Sequence, residues 1–491
     1  MSMTVNLTRR QFTGFSAAFL GAAVTRPLSA TQSSAAWPDA IELARRQRSG
    51  ELSPLALALS TARAMVDLDP RLGFLGADAS EAALERIARV EPGGARIPTL
   101  IKDLHDQEGL PTRFGSRGFA AAGNSRANGR FVEGLTAVNL LSFGKSATSE
   151  AGLLPVIEPA EGVPCRNPWD LGLSAGGSSG GAAAAVAAGV VPLAHASDGG
   201  GSIRIPAALC GVFGFKPSRG RMAGQRANAG VTDLNCEHVI TRSVRDSALV
   251  LAALQGSDNP ALPPVPLISS YQGGPRLRIG MVTTSLTNTA PEAEVITVIE
   301  AAAALLDDAG HSVERATWPI DGARFAADFL ALWSIGAASF VASVRSQFGS
   351  EAANLLEPTT LALAEQAEAA DTEGLPQRLE GYARVYAAWF DGVDVLMSPV
   401  ISRAQIPVGW LPTDPAEAIA ALQGLVGYTP LQNVAGAPAM SVPLGQTTDG
   451  LPVGIHFAAR PGADEMLIRL AFELEALSPW ADRIPAMAAF S

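Results

Sequence analysis

Between residues 172 and 220 the chain carries 12 of its 49 glycines, and most of them come in runs. One run, Ser174-Ala175-Gly176-Gly177-Ser178-Ser179-Gly180-Gly181, leads into an alanine-rich helical stretch. A second, Ser197-Asp198-Gly199-Gly200-Gly201-Ser202-Ile203-Arg204-Ile205-Pro206, places Ser202 24 residues beyond Ser178. Consecutive glycines let successive backbone N–H groups converge on one point, because no Cβ blocks the dihedrals this needs. A serine closing such a turn sits beside donors that can hold an oxyanion.

Around these runs the chain alternates helix and strand. Residues 38–50 and 53–68 read as helices, the second with Ser53 as N-cap and Pro54 at the first helical position. Asp69-Pro70 is expected to end it. The apolar run 97–101 reads as a buried strand delivering Lys102 at its carboxyl end, and residues 135–143 have helical spacing. Strands are expected at 276–282, 311–318 and 393–397, a helix at 291–308, and mostly helix over 320–390. Residues 440–444 and 453–457 flank the turn Thr448-Asp449-Gly450 and predict a hairpin. This alternation is that of an α/β layered sheet. With 47% hydrophobic and 17% charged residues over 491 positions, the chain can bury a large core and is not a disordered protein. No repeat, long linker or composition break divides it, so one large domain is expected after the first 36 residues.

The basic residues are uneven. Thirty-three are arginines and three are lysines, Lys102, Lys145 and Lys216. Arginine serves wherever a generic positive charge is enough, so a retained lysine is a candidate for something arginine lacks. A buried lysine can become a neutral base, whereas arginine keeps its proton. For Lys145 and Lys216 a structural role is the expectation.

Other chemistries fit less well. Gly176-Gly177-Ser178-Ser179-Gly180 matches the G-x-S-x-G elbow, but that site needs a later acid and histidine. The histidines after Ser178 (His195, His238, His311 and His456) lie in no recognisable setting. Gly144-Lys145-Ser146 copies the tail of a P-loop, yet Asn139 stands where that pattern needs glycine. Histidines and carboxylates show no metal-ligand spacing, and His105 reads as a hydrogen-bonding neighbour of Lys102. No metal or cofactor is called for. Cys165, Cys210 and Cys236 are too few for a disulfide framework. A net charge of -11 argues against a sequence-independent grip on nucleic acid.

Lys102-Asp103 with Gly109-Leu110-Pro111-Thr112, Gly144-Lys145, Arg166-Asn167-Pro168-Trp169-Asp170, both glycine runs and Gly211-Val212-Phe213-Gly214-Phe215-Lys216-Pro217 occur in the order of the amidase signature family. The chain resembles that family from about residue 37 to 476. The resemblance implies one α/β domain over residues 37–491 on a large twisted mixed sheet with helices on both faces. It implies Lys102 as a neutral base, Ser178 as a bridging serine after a cis peptide bond, and Ser202 as nucleophile. The N–H groups of Gly199, Gly200, Gly201 and Ser202 match its oxyanion hole. Asp198 and Arg204 are expected to hold the loop, and Ser179 to stand in support, near the leaving group or in the framework. Ala182, Ser197, Gly199, Cys165 and Ala147-Thr148 depart from common family choices without touching the lysine or either serine.

The expected activity is hydrolysis of a small-molecule carboxamide through a seryl acyl-enzyme. A glutaminase-like subunit of a tRNA-dependent amidotransferase and an inactive binding relative are the alternatives. Intact Lys102, Ser178 and Ser202 argue against the second. The oligomeric state is open, a homodimer being one option.

Thr8-Arg9-Arg10-Gln11-Phe12, an apolar run over 15–24 and small residues to Ala36 have the pattern of a twin-arginine export signal. Ten apolar residues are too few for stable insertion across a core of about 30 Å. A periplasmic or secreted enzyme is therefore expected, with a mature charge of -11 minus 3, or -14, since residues 1–36 hold three arginines and no acid. The combined change Arg9→Lys and Arg10→Lys should trap the precursor in the cytoplasm, because the pair is read as a motif and not as charge. Periplasmic activity equal to wild type, measured after cell fractionation, would remove the twin-arginine reading.

Overall fold

In the computed structural model, residues 37–89, 94–226, 229–256, 259 and 261–489 are described. The expected export segment, residues 1–36, lies outside them. Strands form at β1 (Leu75–Asp78), β2 (Ile97–Lys102), β3 (Leu140–Ser146), β4 (Arg166–Asn167), β5 (Asp170–Ser174), β6 (Leu193–Asp198) and β7 (Phe213–Lys216). They continue with β8 (Cys236–Thr241), β9 (Arg278–Met281), β10 (Ser312–Arg315), β11 (Val395–Pro399), β12 (Ala439–Gln446) and β13 (Pro452–Ala458). Eight make one sheet in the order β10-β9-β11-β13-β12-β7-β8-β6, and three make a smaller one in the order β1-β3-β2. The large sheet is mixed: β10, β9 and β11 run parallel, while β12 and β13 pair antiparallel as the expected hairpin.

Side chains alternate across a strand with period two, and the burial follows. Val395 and Met397 of β11 face a core shared with the helices Ala293–Asp308 and Asp464–Leu477, while Leu396 faces a second core under the helix Leu375–Trp389. Both faces of the sheet are thus covered by helices, as the α/β alternation required.

Two elements differ from expectation. The helix Pro54–Leu72 runs through Pro70 instead of stopping before it. Pro70 cannot donate to the Val66 carbonyl four residues back, and the helix ends within the next turn, where Gly73, at φ 63°, donates to the Asp69 carbonyl at 2.7 Å. The helical spacing over 135–143 belongs to two elements: the helix Arg130–Ala137 ends, Asn139 turns at φ 67°, and β3 begins at Leu140. Leu140, Leu141 and Ser142 pair with Ile97, Pro98 and Thr99 of β2. Tertiary pairing overrides local periodicity there.

The site depends on where the two sheets meet. β2 lies against β6, with Thr99 Oγ1 donating to the Leu193 carbonyl at 3.1 Å and the Lys102 backbone N–H to His195 Nδ1 at 3.3 Å. Both strands end at the same place, one in Lys102 and the other in Asp198. Into this seam packs the helix Gly180–Ala187, every residue of which is buried. A Cβ at Gly181 would lie 2.5 Å from both the Ala147 nitrogen and the Phe74 carbonyl oxygen. Backbone cannot yield as a side chain can, so Gly181→Ala should destabilise by ~1–3 kcal/mol through overpacking and lower Tm by several degrees. A calorimetric melt with unchanged Tm would show that the helix can shift away from β3.

Candidate active site

Lys102 ends a strand whose six residues are all buried, so its amine is delivered into the seam without solvent. Nζ donates to Ser178 Oγ at 2.7 Å and to the Ser197 carbonyl at 3.1 Å. A carbonyl can only accept, so the Ser197 contact fixes one N–H. In the neutral amine the lone pair is then free to receive the Ser178 O–H. Burial draws the Lys102 pKa down from 10.5 to about 7, against the opposing pull of the Asp198 carboxylate. Asp103, one residue on, points elsewhere: its carboxylate lies 3.0 Å from Lys145 Nζ and accepts the Arg113 N–H at 3.2 Å. No carboxylate touches the Lys102 amine among the described residues.

Ser178 follows a cis Gly177–Ser178 peptide bond and lies in the turn before the helix Gly180–Ala187. The Ser179 N–H donates to the Ser202 carbonyl at 3.2 Å, which ties the second glycine run to the first. The Ser179 hydroxyl donates to the Ser197 carbonyl at 3.1 Å and accepts the Ser197 N–H at 3.3 Å. Its hydroxyl therefore ties the end of β6 to the turn before the helix Gly180–Ala187.

The Gly199-to-Ser202 turn is shaped from beneath by Asp198. Its carboxylate accepts the N–H of Gly201 at 2.8 Å and of Ile203 at 3.1 Å, and pairs with Arg204 through Nε at 2.9 Å and Nη2 at 2.8 Å. Burial alone would raise the Asp198 pKa, but the Arg204 guanidinium holds it well below the usual carboxylate range. Gly201 is thus no free donor, a correction to the set of four expected for an oxyanion. Among the described residues no acceptor takes the N–H of Gly199, Gly200 or Ser202. Gly201 has φ 134°, and a Cβ there would come within 2.4 Å of Thr429 Oγ1.

Sequence reasoning missed the outer supports. Thr429 donates to the Gly200 carbonyl at 2.6 Å, and Asn433 Nδ2 donates to the Asp198 carbonyl at 2.8 Å. His456 Nε2 lies 3.1 Å from Arg204 Nη1. These residues stand more than 220 positions from the loop with no motif around them; only the fold brings them there. Lys145 and Lys216 prove to be framework: Lys145 is paired with Asp103, and Lys216 Nζ donates to the Pro217 carbonyl at 2.8 Å.

The structure does gather three ligand-type side chains that the spacing did not suggest. His105, His195 and Glu237 have atoms within 4.8 Å of one another. Their hydrogen bonds oppose a cation. His195 Nδ1 accepts the Lys102 N–H, so the neutral ring carries its proton on Nε2, the nitrogen left to ligate. His105 Nδ1 is already 2.8 Å from Glu237 Oε1, and the two imidazoles meet edge to face at 4.6 Å. Burial keeps His195 well below the ordinary histidine pKa, hence neutral beside the lysine. His195 therefore acts as a backbone acceptor that seats Lys102.

Known proteins resemble this chain over most of its length. The family model described as Amidase matches residues 77–468. The protein named AmiC of Mycobacterium leprae (strain TN) is 39% identical over 455 residues, covering 90% of this chain and 96% of its own length. An acylamidase of Rhodococcus erythropolis is 32% identical, covering 93% of this chain and 98% of that one. The solved structure of a 6-aminohexanoate cyclic dimer hydrolase complexed with substrate superposes with a TM-score of 0.83 at 29% identity, covering 92% of this chain and 99% of that one.

The lysine geometry generates a test. The proton leaves Lys102 as pH rises through about 7, so kcat/KM for an amide should climb through that range and level off above it. Lys102→Arg should be nearly as damaging as Lys102→Ala, each by ~10² to 10⁴ in rate, because arginine keeps its proton. Substantial rescue by arginine, measured as kcat/KM on one amide, would make Lys102 a charged clamp.

Proposed function

The chain belongs to the amidase signature family and is a hydrolase of amide C–N bonds; from that premise we propose a Ser202–Ser178–Lys102 machine acting on a small-molecule carboxamide. One observation carries the proposal, the 2.7 Å contact between Lys102 Nζ and Ser178 Oγ at a site where burial brings the amine's pKa down to about 7.

The steps follow from the atoms. Neutral Lys102 takes the Ser178 proton as Ser178 takes that of Ser202, and Ser202 Oγ forms a bond to the amide carbon. The carbonyl π pair moves onto oxygen, where the N–H groups of Gly199, Gly200 and Ser202 are free to receive the negative charge. The C–N bond then breaks, and the proton returns from Lys102 through Ser178 to the leaving nitrogen. Water attacks the acyl-Ser202 ester by the same relay, releasing carboxylate and restoring the serine. Asp198 and Arg204 take no proton; a buried pair held by several further donors serves as the frame of the oxyanion loop. Export through residues 1–36 belongs to the same proposal and would place the reaction outside the cytoplasm.

A fluorophosphonate probe should label Ser202 and no other serine, because Ser202 closes the glycine turn beside the free donors. Peptide mapping after labelling decides the point. An adduct on Ser178 would exchange the two serine roles, and an unlabelled protein would remove the acyl-enzyme.

A further inference from the structure

Ser202 opens on a concave, mostly apolar cavity. One wall is the helix Gly322–Phe348, which presents Phe325, Phe329 and Trp333 at intervals of four residues and so on one face. Their rings stack in series, Phe325 on Phe329 at 6.1 Å and Phe329 on Trp333 at 5.4 Å. Trp333 is anchored, its Nε1 donating to the Leu153 carbonyl at 3.1 Å. The rest of the lining includes the aliphatic side chains of Leu286, Ile419, Leu422 and Val426.

This aromatic face begins at the oxyanion loop. A Cβ added to Gly199 would lie 3.4 Å from the Trp333 ring, and one added to Gly200 would lie 3.2 Å from Phe329. A group bonded to the scissile carbonyl carbon can therefore continue directly onto the rings. None of the lining residues is Asp, Glu, Lys, Arg or His. Besides Ser202 the polar members are Thr287 and Gln423, and Thr287 Oγ1 is already bonded to Ser285, Thr289 and the Gln423 carbonyl. A charge entering here would lose its hydration and gain no counter-ion.

The side of the amide bond also follows. The leaving nitrogen must lie within reach of Ser178, and neither Ser178 nor Lys102 lines the cavity. We infer that the cavity is an acyl site for an uncharged, apolar acyl group, a medium-length alkyl chain or an aryl ring, with the amine portion lying on the Ser178 side. This rests on the acyl-enzyme reading above. Specificity is then set by Phe329 and Trp333 through packing and by the missing counter-ion through exclusion.

The test uses the purified full chain and 4-nitroanilides with a constant leaving amine, acylated with straight chains from acetyl to octanoyl. Matched substrates carry a terminal carboxylate or ammonium on the acyl chain. kcat/KM should rise ~4-fold per added methylene until the cavity is full. A terminal charge of either sign should lower it by at least ~100-fold. Trp333→Ala should erase at least ~10-fold of the octanoyl-over-acetyl preference. Gln423→Arg, at a half-buried and already polar position, should instead turn the preference toward the carboxylate-ended chain, and it keeps the test alive if Trp333→Ala fails to fold.

A flat length series with acetyl anilide still hydrolysed would overturn the acyl site and leave the amidase reading standing. So would equal turnover of charged and neutral chains, or a length dependence that appears only when alkyl groups are placed on the amine. No turnover of any anilide together with no fluorophosphonate adduct on Ser202 would sink both readings.

Discussion

The buried pair of Asp198 and Arg204 is the interaction on which the site depends. One carboxylate receives two backbone N–H groups of the glycine turn, the Arg204 fork and the Asn433 amide, and both partners are fully buried. Removing either member would leave an uncompensated buried charge, which costs ~3–5 kcal/mol. The pair also ties distant elements to the loop, Asn433 from the helix Pro430–Val434 and His456 from β13. Because Gly201 is held by Asp198, the neighbouring N–H groups stay pointed away from the carboxylate and available.

The same pair governs Lys102. A lone carboxylate at Asp198 would attract the amine's proton, and Arg204 compensates that charge at 2.8 Å. Burial then prevails, and the amine titrates near neutrality. Lys145 shows the opposite solution to the same burial, with its own carboxylate at 3.0 Å. Two lysines on adjacent strands thus differ in what stands opposite their amines. Were Asp103 turned toward Lys102, an ion pair would hold the proton and no base would remain.

Much of this was legible in the chain. Runs of glycine carry their meaning locally, since the dihedrals they permit need no distant partner. A retained lysine at the end of an apolar run likewise pointed to its own burial, and the order of the motif blocks pointed to the family. The errors have physical causes. Residues 135–143 carry a helical period because two elements abut there, and cross-strand pairing with β2 decided the second. Pro70 does not stop its helix at once, because the chain closes three residues later at Gly73.

What the sequence determined by itself was the set of candidate groups: two serines on glycine turns, one lysine at the end of a buried apolar run, and an α/β alternation able to bring them together. Tertiary structure alone decided the rest. It seated Lys102 on His195 and placed Thr429, Asn433 and His456 behind the loop. It also laid the ring face of the helix Gly322–Phe348 against Gly199 and Gly200. The reason is range: backbone permission and residue chemistry act within a few positions, whereas the supports behind the loop and the shape of the cavity arise from residues more than a hundred positions apart in the chain.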